Sequence, residues 1–176
     1  MGAKESRARA PTVLYSYGYN GEQDHDWGCV WRSFQNALHF TGWPVPELAA
    51  MLRAARKTAG EWAEPAILPA VGPLGVRRHC RVFLVGEPNA DMFHFSSRDQ
   101  YPLRWASVRA FAVAGILQGC AYVVDDGVSG YAIVPWEGRH WWVDPHTNTP
   151  VLKKSYRRLL LQRRGWMVLQ VSSAAS

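Results

Sequence analysis

Cysteine is scarce and unpaired in this chain. Cys29, Cys80 and Cys120 are an odd number with no CxxC spacing. That argues against a disulfide framework or a zinc site and suits a reducing compartment, so a cytoplasmic location is expected, with no metal and no cofactor. No apolar run reaches the roughly 18 residues that a membrane-spanning helix needs. The stretch Met1 to Ala10 is polar and basic without an apolar h-region, so no secretory signal is expected. Internal repeats, low-complexity stretches and a linker-like change of composition are lacking too. What the chain has in quantity is apolar and aromatic surface: 48% hydrophobic residues and nine Trp in 176 residues. That is enough for one folded domain with a real core, expected over residues 12–176 behind a disordered arm at 1–11.

The net charge of +6 is partly local, since Lys153, Lys154, Arg157, Arg158, Arg163 and Arg164 fall within twelve residues. A cluster of this kind could meet RNA or an acidic partner, but it reads more simply as a solvated helix face. Interleaved base-stacking aromatics and an RNP-type motif are missing, with only Tyr156 and Trp166 nearby, so no nucleic-acid partner is expected.

In chain order, Val13 to Tyr19 alternates as a short strand would, and Asn20-Gly21 is a turn. From Cys29 the pattern turns helical, with Val30, Phe34 and Leu38 every four residues and Trp31, Ala37 and Phe40 widening the apolar face. Thr41-Gly42-Trp43-Pro44 stops this helix. A second helix is predicted over 46–59, and a short third carries Ile67 and Leu68. Strands are predicted over 81–85, 121–124, 131–136, 140–143 and 166–171. Asp125-Asp126-Gly127 and Glu137-Gly138 make turns between the central strands. Helices are predicted over 105–118 and 155–164, and an irregular surface excursion over 86–104. Helices first and hairpin-linked strands later make an α+β fold, a helical lobe packed on a mostly antiparallel sheet.

The polar, turn-prone run Asp24-His25-Asp26-Trp27-Gly28 places Cys29 in the first turn of its helix. Free N–H groups and the helix dipole lower a thiol pKa there, and the thiolate is the nucleophilic form. A buried, inert thiol is the plain alternative. A nucleophile needs a base. Of His25, His39, His79, His94, His140 and His146, only His146 follows a carboxylate at suitable spacing, in Asp144-Pro145-His146. In extended backbone residues 144 and 146 point to one side, and Pro145 pushes Asp144 toward that conformation. A carboxylate there would orient the imidazole. For the oxyanion, the Cys29 N–H is one donor. A second could be the phenol of Tyr15, Tyr17 or Tyr19, among which the residues themselves do not choose.

Tyr17-Gly18, Gly21, Asp24, Trp27-Gly28-Cys29, Arg32 and Gln35, then Glu61-Trp62, Gly127-Val128 with Tyr131-Ala132-Ile133, and Asp144-Pro145-His146 run in one order. Taken together they resemble the ubiquitin-fold-modifier-specific cysteine proteases, in their compact form. The resemblance implies a papain-like fold, with Cys29 as nucleophile, His146 as base, Asp144 as its orienting residue and Tyr17 at the oxyanion. It implies hydrolysis after the C-terminal glycine of a ubiquitin-like modifier, for precursor maturation and for release from lysines. The modifier and its conjugates would be the partners. Trp27, Trp62, Gly127 and Val128 are candidate walls of a groove for its tail. Asp26 stands where the family has Gly, Asp125-Asp126 where it tends to glycines, and Tyr131 where it often has His. The autophagy-type protease shares the Trp-Gly-Cys and Asp-Pro-His pieces and is the nearest rival; a non-catalytic module that binds a ubiquitin-like protein is the alternative outside enzymes.

Overall fold

The structure is a computed structural model that describes residues 8–85, 105–106, 115–147, 149–156, 158–159 and 166–175. It is an α+β fold. Helices α1 (Cys29–Phe40), α2 (Leu48–Ala54) and α3 (Leu68–Val71) precede most of the strands β1 (Cys80–Val85), β2 (Trp105–Ala106), β3 (Ala121–Asp125), β4 (Gly130–Trp136), β5 (Arg139–Val143) and β6 (Trp166–Val171). The sheet order is β2-β1-β6-β3-β4-β5. Strands β1, β6, β3, β4 and β5 form an antiparallel array, and β2 adds in parallel at the edge.

Sequence period explains the layers. Alternate strand residues fall on opposite faces. Val82, Ala121, Val123, Met167, Leu169 and Val171 meet α1 and α2 in one core, through Val30, Trp31, Phe34, Leu38, Met51 and Leu52. Phe83, Tyr122, Val124, Ile133 and Val168 lie in a second core with Tyr156, against which Ile116 and Trp142 pack. The central strand β3 is buried at every position, as expected of an unbroken apolar run covered on both faces. Pro135 sits beyond the stretch of β4 that pairs with β3, where a missing N–H breaks no ladder bond.

Several expectations are corrected. The segment 13–19 is not a strand: 13–16 is irregular and a 3-10 turn covers Tyr19–Gly21. Its polar backbone groups pair elsewhere. The Asn36 side chain donates to Tyr15 O at 2.7 Å and accepts from Tyr15 N at 3.4 Å, and Tyr17 N donates to Pro145 O at 3.1 Å. The second helix is only Leu48–Ala54. Trp105–Ala106 is a strand rather than a helix start, residues 115–118 are irregular, and the rest of the predicted 105–118 helix lies outside the described residues. The excursion at 86–104 and most of the 155–164 segment also lie outside them, although Tyr156, Arg158 and Leu159 are helical. In the predicted arm, Met1 to Arg7 lie outside the described residues, whereas Pro11 is buried and Ala8 packs on the cluster around Val13. Among the described residues no helix is long and apolar enough to cross a membrane.

Helix α1 lies across β3 and β4, and its first turn touches the start of β4. A Cβ on Gly130 would come within 2.6 Å of Val30 Cγ2 and 3.2 Å of the Val30 backbone. Only glycine permits that approach. Gly130→Ala is therefore expected to lower stability by about 1–3 kcal/mol through overpacking. Urea unfolding of the variant checks this; an unchanged midpoint would contradict the close contact.

Candidate active site

The turn that leads into Cys29 is built on a buried ion pair. Asp24 and Arg32 are both 0% exposed, an arrangement that is tolerable only with near-complete hydrogen bonding. Arg32 Nε donates to Asp24 Oδ2 at 2.5 Å, and Nη1 to Gln35 Oε1 at 2.9 Å. Its Nη2 reaches Glu22 Oε1 at 3.1 Å and Tyr19 O at 3.4 Å. Asp24 Oδ1 accepts Gly18 N at 2.8 Å, and the Asp24 carbonyl accepts Gly28 N at 2.9 Å. Asp24 thus ties the Tyr17-Gly18 turn, through its carboxylate, to the residue before Cys29, through its backbone carbonyl. A Cβ on Gly28 would lie 2.8 Å from that same carbonyl, so glycine is needed where α1 begins. Asp26 takes a φ of 72°, a left-handed conformation that glycine adopts freely and Asp tolerates at some strain.

The candidate base, His146, follows the end of β5. Asp144 Oδ1 accepts both His146 N at 2.9 Å and His146 Nδ1 at 2.7 Å. The juxtaposition is the expected one, but its cause differs. The chain turns at 145–147, closed by Thr147 N to Asp144 O at 3.2 Å, instead of running extended. A carboxylate only accepts, so Nδ1 carries the proton and Nε2 of the neutral ring is left as an acceptor. The His146 ring stands edge-on to Tyr17, with centroids 4.5 Å apart; His25 lies on Tyr17 as well, at 5.2 Å.

Tyr17 joins the two halves. Its hydroxyl is buried and lacks a formed hydrogen bond, yet it lies near enough to the Cys29 thiol that each shifts the other's ionisation. Burial, then the Cys29 charge, then contact with the thiol and the charges of Asp24 and Asp144 push the Tyr17 pKa well above its ordinary value. The phenol stays protonated and available as a donor.

The thiol does not behave as its place in the helix suggested. Cys29 is 7% exposed, and burial raises its pKa. The Gly130 N–H, which donates to Sγ at 3.3 Å, opposes this, as do Tyr17 and the Val30 N–H, while Asp125 adds to it. Desolvation of the thiolate outweighs the helix-end donors. The resting group is a thiol that needs a base.

The proposed groove residues are placed unevenly. Trp27 is half-buried against the core around Cys29, and its Nε1 donates to Gln23 O at 3.2 Å. Trp62 is exposed, on a segment pinned to α1 by Trp31 Nε1 donating to Glu61 O at 3.0 Å. Gly127 (φ 89°) and the exposed Val128 form the β3–β4 turn. Asp125 Oδ1 accepts Gly127 N at 2.9 Å, and Asp126 Oδ1 accepts Val128 N at 2.9 Å and Ser129 N at 2.8 Å. The remaining imidazoles are elsewhere: His39 is exposed, His79 lies on Trp43, and His140 Nε2 meets Cys120 O at 2.9 Å. His94 lies outside the described residues. Among the described residues no three His, Cys, Asp or Glu side chains are grouped to hold a metal ion.

Two features had no role in the sequence reading. The Asp24–Arg32–Gln35 network had a faint signal, since Arg32, Ser33, Gln35 and Asn36 interrupt an otherwise apolar helix, and all four are buried. Asp125, at one end of a hairpin turn, reads in the sequence only as a turn residue and a departure from the family pattern, and Gly130, at the other end, has no part there in holding the sulfur.

Replacing Arg32 with Met leaves Asp24 buried without its cation, a change expected to cost about 3–5 kcal/mol, and adding Asp24→Asn should recover part of it. Urea unfolding of the single and double variants checks this; equal stabilities for wild type and Arg32→Met would contradict it. Compared with models of protein families and with curated proteins, the chain matches none.

Proposed function

We propose that the protein is a cysteine protease of papain-like fold that cleaves after the C-terminal glycine of a ubiquitin-like modifier, of the ubiquitin-fold-modifier type. The observation that carries this reading is the contact chain Asp144–His146–Tyr17–Cys29, in which a carboxylate-oriented imidazole packs edge-on to the Tyr17 ring and the Cys29 thiol lies near the Tyr17 hydroxyl.

The mechanism follows from the state of each group. With Nδ1 held by Asp144, His146 takes the thiol proton at Nε2. The thiol pKa is raised by burial, so the proton moves as substrate displaces water and the carbonyl comes within reach. The thiolate attacks the carbonyl carbon of the modifier's terminal glycine. The Cys29 N–H and the Tyr17 hydroxyl donate to the oxyanion that forms. His146 returns its proton to the leaving amine, giving a thioester and a free amine. Water, deprotonated by His146, then releases the modifier's carboxylate and restores the thiol. Trp27, Trp62 and the Gly127-Val128 turn would wall the groove that admits only a slender Gly-terminated tail.

Cys29→Ala should abolish cleavage of a ubiquitin-fold-modifier precursor. Tyr17→Phe should lower kcat by about 100-fold or more with KM little changed, the usual cost of an oxyanion donor. Single-turnover assays on that precursor, run beside an autophagy-type modifier precursor, check both. Cleavage by Cys29→Ala, or equal kcat for Tyr17→Phe, would contradict the reading, and exclusive cleavage of the second precursor would reassign the substrate.

A further inference from the structure

Asp125 is a buried carboxyl for which the mechanism has no use. It is 7% exposed at the last position of β3, in register with Gly130 of β4 and Met167 of β6. Gly130 is the residue whose N–H donates to Cys29 Sγ, so Asp125 stands opposite the residue that holds the sulfur. Asp125 Oδ1 closes the turn by accepting Gly127 N. Among the described residues Asp125 has no ion-pair partner. The charges that act across its surroundings are all acidic: Asp126 beside it, Glu64 from the segment before the 3-10 turn Pro65–Ile67, and Cys29 from α1. A carboxylate with such neighbours resists ionisation, and its pKa is pushed up to about 7, by burial first, against the pull of the Gly127 N–H, with Asp126 and Glu64 adding to it. Two anions this close oppose each other.

We propose that Asp125 is a titratable positioning residue for the Cys29 thiol: uncharged, it holds the Gly127 turn and leaves the sulfur free to ionise, and ionised, it opposes the thiolate. The proton of Cys29 still leaves to His146; Asp125 keeps or loses its own and touches no substrate atom. The inference rests on reading Cys29 as the reactive thiol. It gives the enzyme a brake that tightens as pH rises through the range in which a thiol ordinarily gains reactivity.

Asp125→Asn keeps an oxygen for the Gly127 N–H and removes the charge. Alkylation of Cys29 in the full chain by iodoacetamide, followed across pH by mass spectrometry, reads the thiolate directly. Well above pH 7 the variant should react about tenfold faster than wild type. Well below pH 7 the two should react alike. A ratio constant with pH, or no difference at any pH, overturns the proposal. Stability gives a second readout. A carboxyl whose folded pKa exceeds its unfolded value favours the fold at low pH, and that contribution is lost as pH rises through about 7. The Tm of Asp125→Asn should therefore gain on wild type as pH climbs, whereas loss of a mere structural bond shifts Tm equally at every pH. If that variant does not fold, Glu64→Gln should move the onset of slowed alkylation in an otherwise wild-type chain to lower pH; an unmoved onset overturns the proposal. Alkylation needs no modifier, so failure here is separable from failure of the protease reading, which Cys29→Ala tests.

Discussion

The buried Arg32 guanidinium is the constraint on which the site depends. Asp24 reaches Gly18 with one carboxylate oxygen and Arg32 with the other, and its carbonyl holds Gly28. Gln35 carries the network on to Pro46 O at 3.0 Å. The Tyr17 turn, the start of α1 and the approach to α2 are thus fixed by one cation. Neither charge could be buried alone, since an unpaired ion in the interior costs several kcal/mol. The pair is needed for geometry more than for net stability: without it, the Tyr17-Gly18 turn would lose its direct tie to the start of α1.

That geometry creates an electrostatic problem and part of its solution. Bringing Cys29 under Gly130 and Tyr17 buries the sulfur and raises its pKa. The helix end, two backbone N–H groups and the phenol favour the thiolate but do not prevail over desolvation. An oriented imidazole is what the arrangement requires, and Asp144 provides the orientation through a single oxygen shared by the His146 backbone and ring. The acidic turn at 125–126 works in the other direction, its Asp125 opposing ionisation of the Cys29 thiol. A site resting as a neutral thiol is less prone to stray oxidation and alkylation than a standing thiolate.

Much of the scaffold was legible because it follows short-range rules. The Val30, Phe34 and Leu38 period and the Thr41-Gly42 stop delimit α1 at Cys29–Phe40. Alternation and the Asp-Gly and Glu-Gly turns locate β3, β4 and β5 to within a residue at each end. What escaped depends on partners distant in the chain. Tyr15, Tyr17 and Tyr19 alternate as strand residues do, but the partners of Tyr15 and Tyr17 are an Asn36 side chain and a Pro145 carbonyl. On the polar face of α1, Asn36 and Arg32 are bonded by that same segment, at Tyr15 and Tyr19. The pairing of Asp144 with His146 holds although the expected extended backbone is a turn, because a turn brings residues two apart together as well. The sign of the Cys29 shift was missed because a helix N-terminus is visible in sequence and burial is not.

The central claim is that Cys29 alone, of the three buried free thiols, is reached by a modifier tail and attacks it. The most direct measurement is covalent capture with a ubiquitin-fold modifier carrying a C-terminal electrophile, the adduct being mapped by tandem mass spectrometry. The account predicts one adduct, on Cys29, that is lost in His146→Ala. An adduct on Cys80 or Cys120, or none on any cysteine of the folded protein, would contradict it.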